Sequence, residues 1–386
     1  MKKHFQTAQQ YCKQIGQLFS ILMGLTSYWY DYKKADFKRN ILTRLLFVTV
    51  NVAGLTMIIH YDKRYFEHFA LKDGNPVLYY MLSTRFVLIL LPPLCTFGQI
   101  CLRDSRLVEI KQRLQSFEME CRTKFVHCQP IERNVDRLYY LKMLITAFMY
   151  LMLVYWYLIT MDWKSMIIFY MNIIFLSALW MFQYFQVMAK ICRLFHYFNK
   201  HLQQLAHNIT VSGYEMDPIT EHGYCLEMFW LRRNHFELCC LWQELDTISK
   251  WLIFLKRLVS LISIGIHLYM SAMELHIFHT NKYFFIYDLP DFLPEILDFY
   301  VVDCLYDLTK QTFGDLELTL KDLQVVEQKW RMLYLECDVF SLYLCFRKSI
   351  SNRLGLLNMG RSYWFAMISA IAICAIVLSQ AHLSAE

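Results

Sequence analysis

Glycine and proline are scarce, 11 and 7 in 386 residues. That scarcity excludes long linkers and low-complexity segments and leaves one compact helical body. No internal repeat is visible. Charge is scarce as well: Asp, Glu, Lys and Arg make up 19% of the chain, against 56% hydrophobic and 17% aromatic residues. An ordinary soluble protein of this length is far less apolar, so the composition predicts a multi-span membrane protein. The formal charge of +6 does not indicate nucleic-acid binding, because the basic residues lie between apolar runs and not on a soluble domain. The apolar run from Leu18 to Leu25 is too short and interrupted for a signal peptide; it is expected against the membrane or the helix bundle.

Enzyme signatures are missing too. There is no phosphate-cradling GxxxxGK followed by Ser or Thr, no GxGxxG, no GxSxG and no CxxC. His276-Ile277-Phe278-His279 has metal-like spacing, but no further Cys or His stands nearby to complete a set. No enzymatic activity, metal or cofactor is expected.

What the chain does have is apolar runs. The most complete, Ser362 to Leu383, holds no Asp, Glu, Lys or Arg and is long enough to cross a bilayer's hydrocarbon core as a helix. One amide, Gln380, lies near its end, and in lipid such a group is expensive unless it meets water or a partner helix. The hydropathy pattern predicts an all-α, polytopic protein with spans over 41–60, 77–102, 138–161, 165–189, 251–278, 284–312 and 362–383. Residues 1–386 form one domain. Pro92-Pro93 is expected to kink the second span, and Asp162-Trp163-Lys164 to close a tight hairpin between the third and fourth.

The loops alternate sharply in basic residues. The set comprising 1–40, 103–137, 190–250 and 313–361 holds 28 Lys and Arg, and the opposite set holds 5. By the positive-inside rule the amino end is cytoplasmic and the carboxyl end extracellular. None of the 13 cysteines falls in the outer segments, so external disulfides are not expected. The sequon Asn208-Ile209-Thr210 lies on the cytosolic side, where it is not used.

Two fragments imitate a G-protein-coupled receptor. Asn75-Pro76-Val77-Leu78-Tyr79 fits NPxxY but enters the second span, and Asp136-Arg137 precedes the third span where the receptor motif would follow it. The inverted topology independently rejects that class.

Titratable groups inside spans are functional candidates. Arg44 is near enough to the cytoplasmic end to snorkel. Arg85 lies deeper, and His267 and Glu274 face nearly one side of the fifth span. With Tyr80, Tyr157 and Tyr269 at similar depth, they could line an outward-opening ligand pocket; alternatively Arg85 and Glu274 pair only to fasten two helices. Asp288, Asp291, Glu295 and Asp298 recur at steps of three and four, placing four carboxylates on one helical face. That face reads either as a cation-concentrating outer vestibule or as a wet helical turn ahead of the membrane, where Pro290 and Pro294 also fit.

The carboxyl end resembles the insect gustatory receptor family, whose signature there is approximately Thr-Tyr, five apolar residues, then Gln-Phe. The run here is Ile373-Cys374-Ala375-Ile376-Val377-Leu378-Ser379-Gln380-Ala381, preceded by Met367-Ile368-Ser369-Ala370-Ile371 and by Gly360-Arg361-Ser362, which resembles the family's Asn-Arg-Ser. Gln380 is retained, Ile373-Cys374 stand in place of Thr-Tyr, Ser379 is inserted and Ala381 replaces Phe. Asn234-His235-Phe236-Glu237-Leu238-Cys239 resembles the family as well.

The resemblance implies a tetrameric, ligand-gated, non-selective cation channel in the plasma membrane of sensory neurons, on dendrite, axon and cell body. The subunits are homo- or heteromeric, the seventh helix lines the pore, and the cytoplasmic extensions form a helical anchor that includes 330–346. It implies Val377 at the hydrophobic constriction, Gln380 just outside it, and Ile373 and Cys374 at the inner lining. A ring of Val side chains can dewet and stop ions, while amides partly replace ion hydration. The alternative for Gln380 is an amide that glues helices together in lipid. The expected partner is a small-molecule tastant, with the divergent tail the sole pointer to bitter. The rival readings are a metabotropic receptor, which needs the amino end outside, and a secondary transporter, which needs inverted repeats and broken helices.

Overall fold

The structure is a computed structural model, and it describes residues 18, 21, 26–31, 36–73, 76–124, 133–160, 167–212, 217–278, 289–324, 330–352 and 360–383, with some side chains inside those ranges left out. The described helices are α1 (Ile41–Asp73), α2 (Pro76–Lys124), α3 (Arg133–Thr160), α4 (Ile167–Ser212), α5 (Pro218–Phe278), α6 (Leu289–Gln324), α7 (Arg331–Asn352) and α8 (Arg361–Leu383). Ahead of them, β1 (Tyr28–Asp31) pairs antiparallel with β2 (Asp36–Arg39), Tyr28 opposite Arg39. The sequence reading does not anticipate this hairpin. It is fastened by the Lys111 ammonium, which donates to the Tyr28 hydroxyl at 2.6 Å and to Gln183 at 3.1 Å.

The apolar runs overlap described helices, and α2, α4 and α5 run far past them. α2 continues through Pro92-Pro93 without a break. Beside them the Thr96 hydroxyl donates to the Pro92 carbonyl at 2.7 Å. Among the described residues, no helix is long and apolar enough to cross a membrane.

The core sits around α4, which packs most extensively against α6. Between Leu176 and Phe195 its described side chains are buried on nearly every side, as in a helix enclosed by others. Beyond that the buried apolar set narrows to Phe198, Leu202, Leu205 and Ile209, a stripe at steps of three and four, with Asn199 buried beside it. α5 answers with Met228, Leu231, His235, Leu238, Trp242, Leu245, Ser249, Leu252 and Lys256, one continuous seam of the same period. His235, in the second family-like patch, is fully buried. It lies between Phe195 of α4, Phe313 of α6 and Phe340 and Tyr343 of α7, with ring centroids 5.2 to 5.9 Å away. The Cys239 sulfur is 3.6 Å from its Nδ1. One imidazole thus joins four helices.

Helix starts follow their sequences. Asn40 accepts from the Leu42 amide at 3.1 Å and caps α1. Asp217, followed by Pro218 at the first helical position, accepts from the Thr220 amide at 3.2 Å and caps α5. The hydrogen bond from Thr220 holds the Asp217 carboxyl below its ordinary range.

Candidate functional site

Helix α8 has two faces. Met367 and Ile371 are buried where it crosses α5 and α6. On the opposite side Ile373, Ile376 and Val377 are 60%, 57% and 54% exposed, and Gln380 is exposed with them. These four recur at steps that share one helical face. Cys374 is exposed on the shoulder next to α5: a β-carbon at Gly265 would lie 3.8 Å from the Cys374 β-carbon. The two helices are therefore in van der Waals reach of each other here.

The start of α8 is anchored to α6. The Gly360 amide donates to Asp303 at 3.2 Å, and the Arg361 amide and Nε both donate to Asp307 at 3.0 Å. Asp303 is fully buried and also paired with Arg257 of α5. One turn on, the Trp364 indole donates to the Ile296 carbonyl at 2.9 Å and its ring lies 4.9 Å from that of Tyr300. Gly360 has φ +153°, a conformation that L side chains rarely adopt, and a β-carbon there would meet Asp307 Oδ1 at 2.8 Å. Glycine is required at this position.

Further up α6 the polar contacts continue. Asp298 and Lys142 of α3 form a buried ion pair. Glu295 accepts from the Ser260 hydroxyl of α5 at 2.7 Å. Buried Lys256 lies 6.0 Å from the Phe299 ring and Arg257 5.5 Å from it. Four carboxylates of α6 therefore hold α3, α5 and α8.

Comparison with known proteins identifies the chain. A family model described as 7tm chemosensory receptor matches residues 17–384. The chain belongs to that family. No curated protein matches it by sequence comparison. Among solved structures it is similar to the insect olfactory receptor OR5 from Machilis hrabei in complex with eugenol, at 10% identity and a TM-score of 0.59, covering 97% of this chain and 98% of the other. That likeness establishes the fold; the chemosensory receptor family is membrane-embedded.

In this chemosensory receptor the pore candidates Ile373, Val377 and Gln380 share an outward face, with Cys374 at its edge. Of the ligand-pocket candidates, Tyr80 and Arg85 lie on α2, Tyr157 on α3, and His267, Tyr269 and Glu274 on α5. Their side chains are outside the described residues. Asp288 is outside them as well, as is the side chain of Asp291 on α6. The other two vestibule candidates turn inward: Asp298 is buried against Lys142, and Glu295 is half-buried against Ser260. Both carboxylates engage neighbouring helices within the bundle. Asp136, of the Asp136-Arg137 fragment, accepts from Arg193 on α4 at 2.7 Å.

The cations Lys142, Lys256 and Arg257, together with Asp303 and Asp307, are absent from the candidates drawn from sequence. A signal was present: Lys142 and Lys256-Arg257 interrupt the start of the third and fifth apolar runs, and intramembrane charges are paired as a rule.

Proposed function

We propose that this receptor is a gustatory receptor subunit, a seven-span plasma-membrane protein with its amino end inside that forms a ligand-gated, non-selective cation channel without enzymatic activity. A small-molecule tastant arriving from outside shifts the bundle toward an arrangement in which the α8 helices of four subunits separate, through its differential affinity for the open and closed states. The observation that carries the reading is the outward face of α8, where Ile373, Ile376 and Val377 precede Gln380. A helix packed on its own subunit by one side only, with a terminal amide after an apolar run, suits the lining of a hole shared between copies. The carboxyl-terminal resemblance favours taste over odour. The complex of the similar olfactory receptor with eugenol supports a small molecule as ligand. A second outward apolar face, Met332, Leu335, Val339, Leu342 and Phe346 of α7, fits the cytoplasmic anchor between subunits.

Patch recording of cells expressing the chain and a tastant pool tests the reading. Gln380→Arg is expected to lower cation permeability through like-charge repulsion, and Val377→Ala to raise the ligand-free current by widening and wetting the constriction. Currents identical to wild type in both variants would overturn it.

A further inference from the structure

At the starts of α1 and α5 a backbone amide donates to a side-chain oxygen at the helix's own end, that of Asn40 and of Asp217. α8 starts on Gly360, which has no side chain to offer. Its first amides are satisfied instead by two carboxylates of another helix, Asp303 and Asp307 on α6. Helix starts need such acceptors and favour negative charge, so α8 cannot leave α6 without exposing them or finding replacements.

Asp303 is shared. Its Oδ1 accepts both the Gly360 amide and the Arg257 guanidinium, while its Oδ2 and the Arg257 Nε, both buried, have no hydrogen-bond partner among the described residues. Arg and a carboxylate prefer two parallel bonds. A small rotation about Asp303 would bring Oδ2 to Nε and complete that fork, at the expense of the Gly360 amide. The site thus offers two arrangements of the same groups. In one, Asp303 holds α8; in the other, it belongs to Arg257 and α5.

We propose that Asp303 and Asp307 form a cap for α8 borrowed from α6, that this cap sets the closed position of α8, and that competition from Arg257 for Asp303 releases it. The gating part rests on the channel reading above; the cap does not. Asp303 and Asp307 are positioning residues, and Arg257 is the link through which movement of α5 reaches α8.

Two measurements on the full chain test this. In lipid nanodiscs, hydrogen exchange across Gly360–Phe365 should speed up roughly 5-fold or more in Asp307→Ala. Asp307→Asn, which keeps an oxygen for the Arg361 amide, should retain most of the protection. Gly360→Ala reaches the same contact from the other side and should match Asp307→Ala. Unchanged exchange in both alanine variants overturns the cap whatever the currents do. In whole-cell recording without ligand, Asp307→Ala should raise the cation current roughly 5-fold. Adding Arg257→Lys, which has no fork to complete, should bring it back down. A merely structural role predicts that the second substitution adds damage. Faster exchange with wild-type currents overturns the gating role while the channel reading stands on Val377 and Gln380. Absence of current in every variant, those two included, sinks the channel reading and the gating role together.

Discussion

Asp246 shows how far packing can move a single residue. It lies on α5 in the stretch expected to be cytoplasmic, is buried, and accepts from the Tyr184 hydroxyl of α4 at 3.2 Å. Burial raises its carboxyl to about 7, against the lowering effects of the Tyr184 hydrogen bond and of Lys250. In the unfolded chain it titrates near 4. Because the folded value is the higher one, the contribution of Asp246 favours the fold fully below about pH 4 and is lost as pH rises through 7. Between pH 6 and 8 the loss amounts to about 1 kcal/mol. Thermal unfolding of the purified chain should therefore fall by roughly 1–3 °C more over that range than in Asp246→Asn; equal slopes would contradict this. In the sequence Asp246 is one aspartate among many in a polar stretch, because the groups that desolvate it come from α4 and α6. Gly360 is similar. Its likeness to a family run is legible, but its requirement for glycine depends on Asp307, which only the fold brings beside it.

Among the elements, α6 is where periodicity is readable and packing is not. Spacing places Glu295 and Asp298 on one face, as the sequence indicates, and both carboxylates engage neighbouring helices, Ser260 of α5 and Lys142 of α3. Lys142 stands 156 residues from Asp298 along the chain, so nothing local announces the pair. Breaking a buried pair by removing one member leaves a charge uncompensated. Lys142→Met is accordingly expected to lower stability by about 3–5 kcal/mol, while Lys142→Met with Asp298→Leu should fall close to wild type. Chemical or thermal unfolding in detergent distinguishes these. A double variant no better than the single would show that the pair does not act as a unit. The packing of α4 and α5 was partly legible: the seam on α5 and the stripe on α4 follow a helical period. That His235 ties four helices together was not, since a lone histidine in sequence carries no partners.

At the scale of the whole molecule, the all-helical character was legible because burial of apolar surface dominates the pattern. The ends are less readable. α2, α4 and α5 continue as helices well beyond their apolar runs, because the polar stretches that flank those runs keep the helical period and pack on one another. The proposed channel requires that four copies of α8 surround an aqueous path. Electron cryomicroscopy of the purified chain in lipid nanodiscs tests it most directly. The account predicts a four-fold assembly with Val377 and Gln380 of each α8 turned toward the central axis. A map in which that face of α8 meets acyl chains, remote from any axis, would contradict it.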